Sequence, residues 1–280
     1  MRPTGLKTKI FLDSGDPNET KETIHLLGFL DGQTTNPSLI AKNPSAQGKK
    51  FTKDEIASFY KGVITEINSL IPNGSISIEV YADKNSTVEN LCEEGRKMFS
   101  WIPNAHIKYP IIKAGLEAAQ RSVKEGIRVN MTLCFTEEQA AAVYSATTGA
   151  KDAYVSPFAG RLDDKGLNGM DLIKNIIKTY KNGDGHTKVL AASIRNMDHF
   201  MCSIAMSADI ITAPFKILKE WAEKGLQIPG PDYIYPKGNL QEILYQEIAL
   251  NKPWQEYNIS HEMTDAGLGK FANDWNNLIK

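Results

Sequence analysis

A (β/α)8 barrel is the fold this chain predicts. Three observations lead there: eight short apolar segments recur along it, helix-period stretches separate nearly all of them, and most segments end at a polar or charged residue. The segments are Lys9–Asp13, Phe29–Thr35, Ile76–Val80, His106–Pro110, Arg128–Cys134, Tyr154–Phe158, Lys188–Ser193 and Ile210–Pro214. At or beside their ends stand Asp13, Asn36, Glu79, Lys108, Thr132, Ser156, Ser193 and Thr212. Eight strands alternating with helices in about 250 residues make such a barrel, and its active site lies where the strands end. One Asp, Asn or Ser at a strand end says little, because these residues favour turns. Eight polar ends together, with a lysine and two carboxylates among them, mark a candidate site.

Helices are expected at 18–27, 52–70, 87–99, 114–125, 136–146, 169–180, 197–206 and 215–223. Thr136 followed by Glu137 and Glu138 is a start signal, and Asp13 to Pro17 forms a turn before the first amphipathic run. After Gly225 the pattern changes. Leu226 to Pro236 is rich in proline and tyrosine and has neither period, after which 239–250 and 270–279 read as two further helices. No linker divides the 280 residues, so they form a single barrel domain with 226–280 as a C-terminal helical extension. The extension is expected to cap the barrel. The sharper alternative is docking onto a second copy, since Trp254, Tyr257, Phe271 and Trp275 supply apolar surface that a closed barrel does not need; a homo-oligomer is expected.

Composition excludes some functions. With 32 basic and 33 acidic residues the net charge is -1, which gives no bulk attraction to nucleic acid or an anionic membrane. Any anion needs a local site. Cys92, Cys134 and Cys202 are far apart and odd in number, which suggests neither a disulfide framework nor a zinc site and fits a reducing cytoplasm. No stretch approaches the ~20 apolar residues of a membrane span, and the N-terminus lacks an export signal, so a soluble cytoplasmic protein is expected. None of the five histidines has metal-ligand spacing, and Gly183 to Gly185 is too short for a nucleotide-binding loop.

Lys108 lies in His106-Ile107-Lys108-Tyr109-Pro110, where an inward-pointing amine is desolvated. Desolvation favours the neutral amine that a Schiff-base nucleophile uses; the alternative is a lysine snorkelling to water. Lys113 reads as solvated. Asp13 and Glu79, ending separate strands, converge on a lysine between them and pass protons during carbon–carbon cleavage, or else Asp13 only forms a turn and Glu79 only an ion pair. Thr34 and Asn36 at one strand end, and Asn130 and Thr132 at another, offer hydroxyl and amide groups for substrate hydroxyls or a water. Arg161 and Arg195 follow the sixth and seventh strands, barrels often bind phosphate after strands seven and eight, and two guanidinium forks in that region suit a sugar phosphate; pairing with Asp163 or Asp164 is the bland reading for one of them.

Taken in order, Leu12-Asp13-Ser14, Thr34-Thr35-Asn36-Pro37-Ser38, Ile78-Glu79-Val80, Ile107-Lys108, Asn130-Met131-Thr132-Leu133, Ser156-Pro157-Phe158-Ala159-Gly160-Arg161 and Val189-Leu190-Ala191-Ala192-Ser193-Ile194-Arg195-Asn196 resemble motifs of the transaldolase family, Schiff-base enzymes on a (β/α)8 barrel. The resemblance covers roughly 9–223, with a weaker echo at 270–275, and leaves 226–264 without an evident counterpart. It implies that Lys108 forms the Schiff base with a ketose phosphate and that Asp13 is the acid/base for the hydroxyl whose deprotonation breaks the C3–C4 bond. Glu79 and Thr132 would hold the relay water. Asn36 and Asn130 would bind the dihydroxyacetone moiety with Ser156 nearby, and Ser193, Arg161 and Arg195 the phosphate. The implied reaction moves a dihydroxyacetone unit from fructose 6-phosphate or sedoheptulose 7-phosphate to erythrose 4-phosphate or glyceraldehyde 3-phosphate, a pentose phosphate pathway step with no metal or organic cofactor. Fructose-6-phosphate aldolases of the same family carry glutamine and tyrosine where this chain has Glu79 and Phe158, and lysine in place of Arg195, so the transaldolase branch fits better. A lyase of that aldolase type, or a barrel that binds sugar phosphate without turnover, is the alternative. After the lysine the family usually has a threonine, or a serine and threonine, before the helix; here Ile112 stands in Pro110-Ile111-Ile112-Lys113 and supplies no hydroxyl, and if that group shapes the donor site, weakened activity or another sugar phosphate is expected.

Overall fold

The computed structural model describes residues 1–230 and 232–280. Pro231, inside the stretch read as period-free, lies outside the described residues. Eight parallel strands close in sequence order: β1 Lys9–Asp13, β2 Gly32–Thr34, β3 Ser75–Glu79, β4 Ala105–Pro110, β5 Val129–Cys134, β6 Ala153–Pro157, β7 Thr187–Ala191 and β8 Ile210–Ala213. Every expected strand is present. The largest difference is at β2, where Phe29 and Leu30 belong to the connection and Phe29 packs edge-on to Trp221 at 6.3 Å.

Strand alternation decides which residues meet. Ile76, Ile78, Ile107, Val129, Met131, Val155 and Val189 form a buried layer with the surrounding helices. The intervening set fills the barrel: Phe11 and Asp13, Ser77 and Glu79, His106 and Lys108, Asn130 and Thr132, Tyr154 and Ser156. Register places Asp13 beside Thr34, Glu79 beside Lys108 and Lys108 beside Asn130. At the N-terminal end, Phe11 and Tyr154 meet edge-to-face at 6.2 Å. Gly32 is glycine for this reason, since a Cβ there would lie 2.6 Å from the Phe11 ring and 2.4 Å from the Ser75 carbonyl.

The helices are α1 Pro17–Leu27, α2 Pro37–Ala41, α3 Lys53–Leu70, α4 Val88–Phe99, α5 Lys113–Lys124, α6 Glu137–Ala146, α7 Ala159–Asp163, α8 Gly169–Tyr180, α9 Met197–Ala205, α10 Phe215–Glu223 and α11 Glu262–Asn276. Caps set many of the starts: Asp16, Asn36, Thr52, Thr87, Thr136 and Asn196 each accept a backbone N–H of the following turn. The short α2 and α7 were not foreseen. Among the described residues no helix is long and apolar enough to cross a membrane.

The extension departs from expectation. Residues 239–250 form no helix, although their composition suits one. Their backbone groups bond to the barrel's outer helices instead: Gln241 exchanges bonds with Gly166 and Asn168, the Ile243 carbonyl accepts from Asn175 Nδ2 at 3.0 Å, and Gln246 N–H points to the Glu137 carboxylate at 3.3 Å. Tertiary partners here outweigh helix propensity. The last helix starts at Glu262, well before the expected 270. Trp254, Tyr257, Phe271 and Trp275 are all buried within this chain, so they do not supply the surface proposed for docking a second copy.

Candidate active site

A pocket of about 580 Å³ opens at the C-terminal ends of the strands. Its walls include Asp13, Thr34, Asn36, Lys108, Ser156, Phe158, Arg161, Ser193, Arg195 and Thr212. Glu79, Asn130 and Thr132 stand just behind this wall. Lys108 is buried, with side-chain exposure of 4 %, and its Nζ lies 2.9 Å from Glu79 Oε2 and 3.4 Å from the Thr35 carbonyl. The snorkelling alternative is therefore excluded by position. Lys113 is exposed at the start of α5.

Burial raises the carboxyl pKa of both Asp13 and Glu79, opposed in each by the charge of Lys108. Thr34 donates to Asp13 Oδ1 at 2.6 Å and meets the Thr212 hydroxyl at 2.6 Å, so Asp13 is oriented from the neighbouring strand, while its charge is favoured mainly by Lys108. Glu79 Oε2 faces Nζ out of hydrogen-bond alignment. It and Thr132 Oγ1 are buried oxygens without a hydrogen-bond partner. Three other buried side-chain oxygens, on Thr23, Asn68 and Asn104, share this state away from the pocket, so it is the place of Glu79 and Thr132 beside Lys108 that singles them out. Behind Ser156 a chain of amides and hydroxyls is complete: Ser156 Oγ donates to Asn130 Oδ1 at 2.7 Å and Asn130 Nδ2 to Ser77 Oγ at 3.0 Å. Asn36 commits Oδ1 to capping α2, bonding the Leu39 N–H at 2.9 Å, which leaves its Nδ2 for the pocket.

The two arginines differ. Arg195 pairs with Asp164 at 2.8 Å, and both are largely exposed. Arg161 instead lies between aromatic faces, 4.9 Å from the Phe158 centroid and 5.3 Å from that of Phe271. Burial lowers its pKa, with Glu79 and Asp13 opposing. Lys42, Lys165 and Lys270 also line the pocket, which gives it a cationic balance suited to an anionic ligand.

α11 supplies the wall that sequence reading missed. Met263, Gly267, Lys270 and Phe271 line the pocket. The helix is fastened by Thr264 Oγ1 on the Leu133 carbonyl at 3.0 Å, by Ser38 donating to Asp274, and by Trp275 against Tyr60 at 5.7 Å. It thus roofs the side of the barrel that holds Lys108, Glu79 and Thr132. Gly267 permits this approach, since a Cβ would lie 2.5 Å from Arg161 Nη1. The signal was present: buried residues recur at 263, 264, 267, 268, 271, 272 and 275.

Ile112 stands apart from the pocket. It lies at the N-cap of α5, makes no capping bond, and borders a groove with Asp265 and Leu268 rather than the pocket around Lys108. A threonine at this position would stand at the N-cap of α5, outside the walls of the pocket around Lys108. Among the described residues no cluster of His, Cys, Asp or Glu is arranged to hold a metal, and the three cysteines are free and buried.

The family model described as Transaldolase/Fructose-6-phosphate aldolase matches residues 10–280, so the extension belongs to the match after all. The chain is 34% identical over 272 residues to a "Probable transaldolase" of Dehalococcoides mccartyi, covering 97% of this chain and 100% of the relative. It is 36% identical to one of Caldicellulosiruptor saccharolyticus over 97% of this chain and 99% of the relative, and 41% identical to one of Roseiflexus sp. over 76% and 88%. With a closed eight-stranded barrel, a buried lysine between carboxylates and this full-length match, the chain belongs to the transaldolase/fructose-6-phosphate aldolase family.

Proposed function

We propose that this protein is a transaldolase, moving a dihydroxyacetone unit between a ketose phosphate and an aldose phosphate through a Schiff base on Lys108. The observation that carries the reading is the buried Lys108 amine, 2.9 Å from the Glu79 carboxylate at the base of a pocket whose rim holds Arg161 and Arg195. Lys108 Nζ attacks the C2 carbonyl of fructose 6-phosphate, and the carbonyl oxygen leaves as water. Glu79 takes the ammonium proton, and Glu79 with Thr132 holds the water that carries protons in this step and its reverse; their two unpartnered oxygens support this. Asp13 removes the C4 hydroxyl proton, the C3–C4 bond breaks, and its electron pair enters the iminium to give an enamine while glyceraldehyde 3-phosphate departs. The enamine carbon then adds to the aldehyde of erythrose 4-phosphate, Asp13 returns the proton to the new alkoxide, and hydrolysis frees the ketose. Burial makes Asp13 a stronger base than an exposed aspartate, which suits this exchange. Asn36, Asn130 and Ser156 bind the dihydroxyacetone part, and Ser193, Arg161 and Arg195 the phosphate. Buried free cysteines support a reducing, cytoplasmic setting.

Release of free dihydroxyacetone, the aldolase outcome, is disfavoured by Phe158, which offers no hydroxyl to assist enamine hydrolysis. The test follows glyceraldehyde 3-phosphate release from fructose 6-phosphate with and without erythrose 4-phosphate. Acceptor-dependent release is expected; release without acceptor means an aldolase, and no borohydride trapping on Lys108 means a binding protein.

A further inference from the structure

The segment carrying Arg195 is held by a side chain outside the pocket. Asn196 caps α9 by accepting the His199 N–H at 2.8 Å. In return the N–H of Arg195, one residue before that cap, points at His199 Nδ1 over 3.4 Å, so the imidazole reaches back past the cap to the segment that enters the helix. A backbone N–H only donates, so Nδ1 accepts and the proton of the neutral ring sits on Nε2. That nitrogen lies 2.7 Å from Asp163 Oδ2. Asp163 also accepts the Gly169 N–H at 2.9 Å and the Tyr235 hydroxyl at 3.3 Å. Asp163 ends α7, the five-residue helix that carries Arg161. One imidazole, 1 % exposed, therefore joins the two segments that bear both arginines.

A second tie makes the register exacting. The Gly160 N–H donates to the Ser193 carbonyl at 3.0 Å, and a Cβ on Gly160 would lie 2.2 Å from Arg195 Cγ. Ser193 itself has φ 58°, a left-handed conformation that a non-glycine residue keeps only where its surroundings impose it.

We propose that His199, oriented by Asp163, is a positioning residue for phosphate: it sets the backbone of Arg195 and the register of α7 against 192–196, so that Arg161, Ser193 and Arg195 converge on one phosphate group. This rests on the reading of those three residues as the phosphate site. A histidine that only fills the core would leave phosphate affinity untouched when replaced without unfolding.

The test measures inorganic phosphate binding by calorimetry and fructose 6-phosphate kinetics for the wild type, His199→Phe and His199→Asn. His199→Phe is expected to weaken phosphate and raise KM about tenfold, the scale of one hydrogen bond to a charged group, while kcat falls less than about threefold. His199→Asn, whose Oδ1 stands where Nδ1 stood, is expected to recover most of the loss. Wild-type phosphate affinity in a folded His199→Phe, or a loss in kcat alone, overturns the proposal. Should that variant unfold, Asp163→Asn replaces it, with weakened phosphate binding expected and unchanged affinity overturning. A wild type that binds phosphate without turnover breaks the transaldolase reading and leaves this test intact; turnover with His199 variants indifferent to phosphate breaks only the present proposal.

Discussion

His106 and Lys108 stand two positions apart on β4, point into the same barrel and are about equally buried, yet their surroundings are opposite. His106, toward the N-terminal end, is fully partnered: Nδ1 meets Ser75 Oγ at 2.9 Å, Nε2 meets Asp152 at 3.2 Å, and the ring stacks on Tyr154 at 4.2 Å. Tyr154 completes the set by donating to Asp152 at 3.2 Å. Lys108, one layer higher, has a carboxylate whose oxygen is left without an aligned hydrogen bond, and the nearby Thr132 hydroxyl has no partner. A Ser, His and Asp in contact look like catalytic machinery in a list. Here their complete satisfaction and their place at the closed end argue for structure, whereas Glu79 and Thr132, each with an unsatisfied oxygen, stand next to Lys108 behind the pocket wall at the open end. In a barrel, polarity alone does not separate stability from chemistry; satisfaction and depth do.

The largest expected effect tests the upper layer. Lys108→Met, of similar volume, should reduce transaldolase turnover by more than about 10³-fold and abolish borohydride trapping, because no other group can form the iminium; retained trapping would move the nucleophile elsewhere. In the lower layer, His106→Leu should cost about 1–3 kcal/mol in denaturant unfolding, with the Ser75 and Asp152 groups deprived of a partner, and leave kcat close to wild type. A large fall in kcat without loss of stability would erase the distinction between the layers.

Asp13 sharpens the comparison through pH. Its folded carboxyl titrates above the ordinary value of 3.8 because it is buried, so the unfolded chain ionises first and stability is lost as pH rises through the folded value. Asp13→Asn should therefore unfold at higher temperature than wild type at pH 8, by a gain of about 1 kcal/mol that shrinks toward pH 4, while losing activity. A pH-independent difference would mean that burial is not the cause. The smallest effect belongs to Ile112→Thr. A capped α5 should gain at most about 1 kcal/mol, less the burial lost with the isoleucine, and kinetics should not change. Altered donor preference would return position 112 to the active site.

How much of this was legible in the sequence varies with the kind of interaction. The barrel strands and their inward polar ends were, since period-2 alternation and turn residues are local signals. The eight helices between the strands were too, within one residue at either end. Residues 239–250 were not, because Asn175, Glu137 and Gly166, far away in sequence, offer the bonds that draw them out of a helix. The four aromatics of the extension were visible as apolar surface, but nothing local says that they bury against their own barrel. The missing hydroxyl at Ile112 was legible, but whether it belongs to a pocket wall or a helix cap was not, because the two differ only in three dimensions.

Taken alone, the sequence determined the (β/α)8 architecture and the residues that meet at its C-terminal end, because alternation and strand order by themselves bring Asp13, Glu79, Lys108, Thr132 and Ser156 into one barrel mouth. The tertiary structure decided what roofs them and how they are held: α11 across the pocket, Arg161 between Phe158 and Phe271, Ser193 in a left-handed conformation against Gly160, and His199 joining the two arginine segments. Each of these depends on contacts between residues distant in the chain, and no periodicity encodes such a contact.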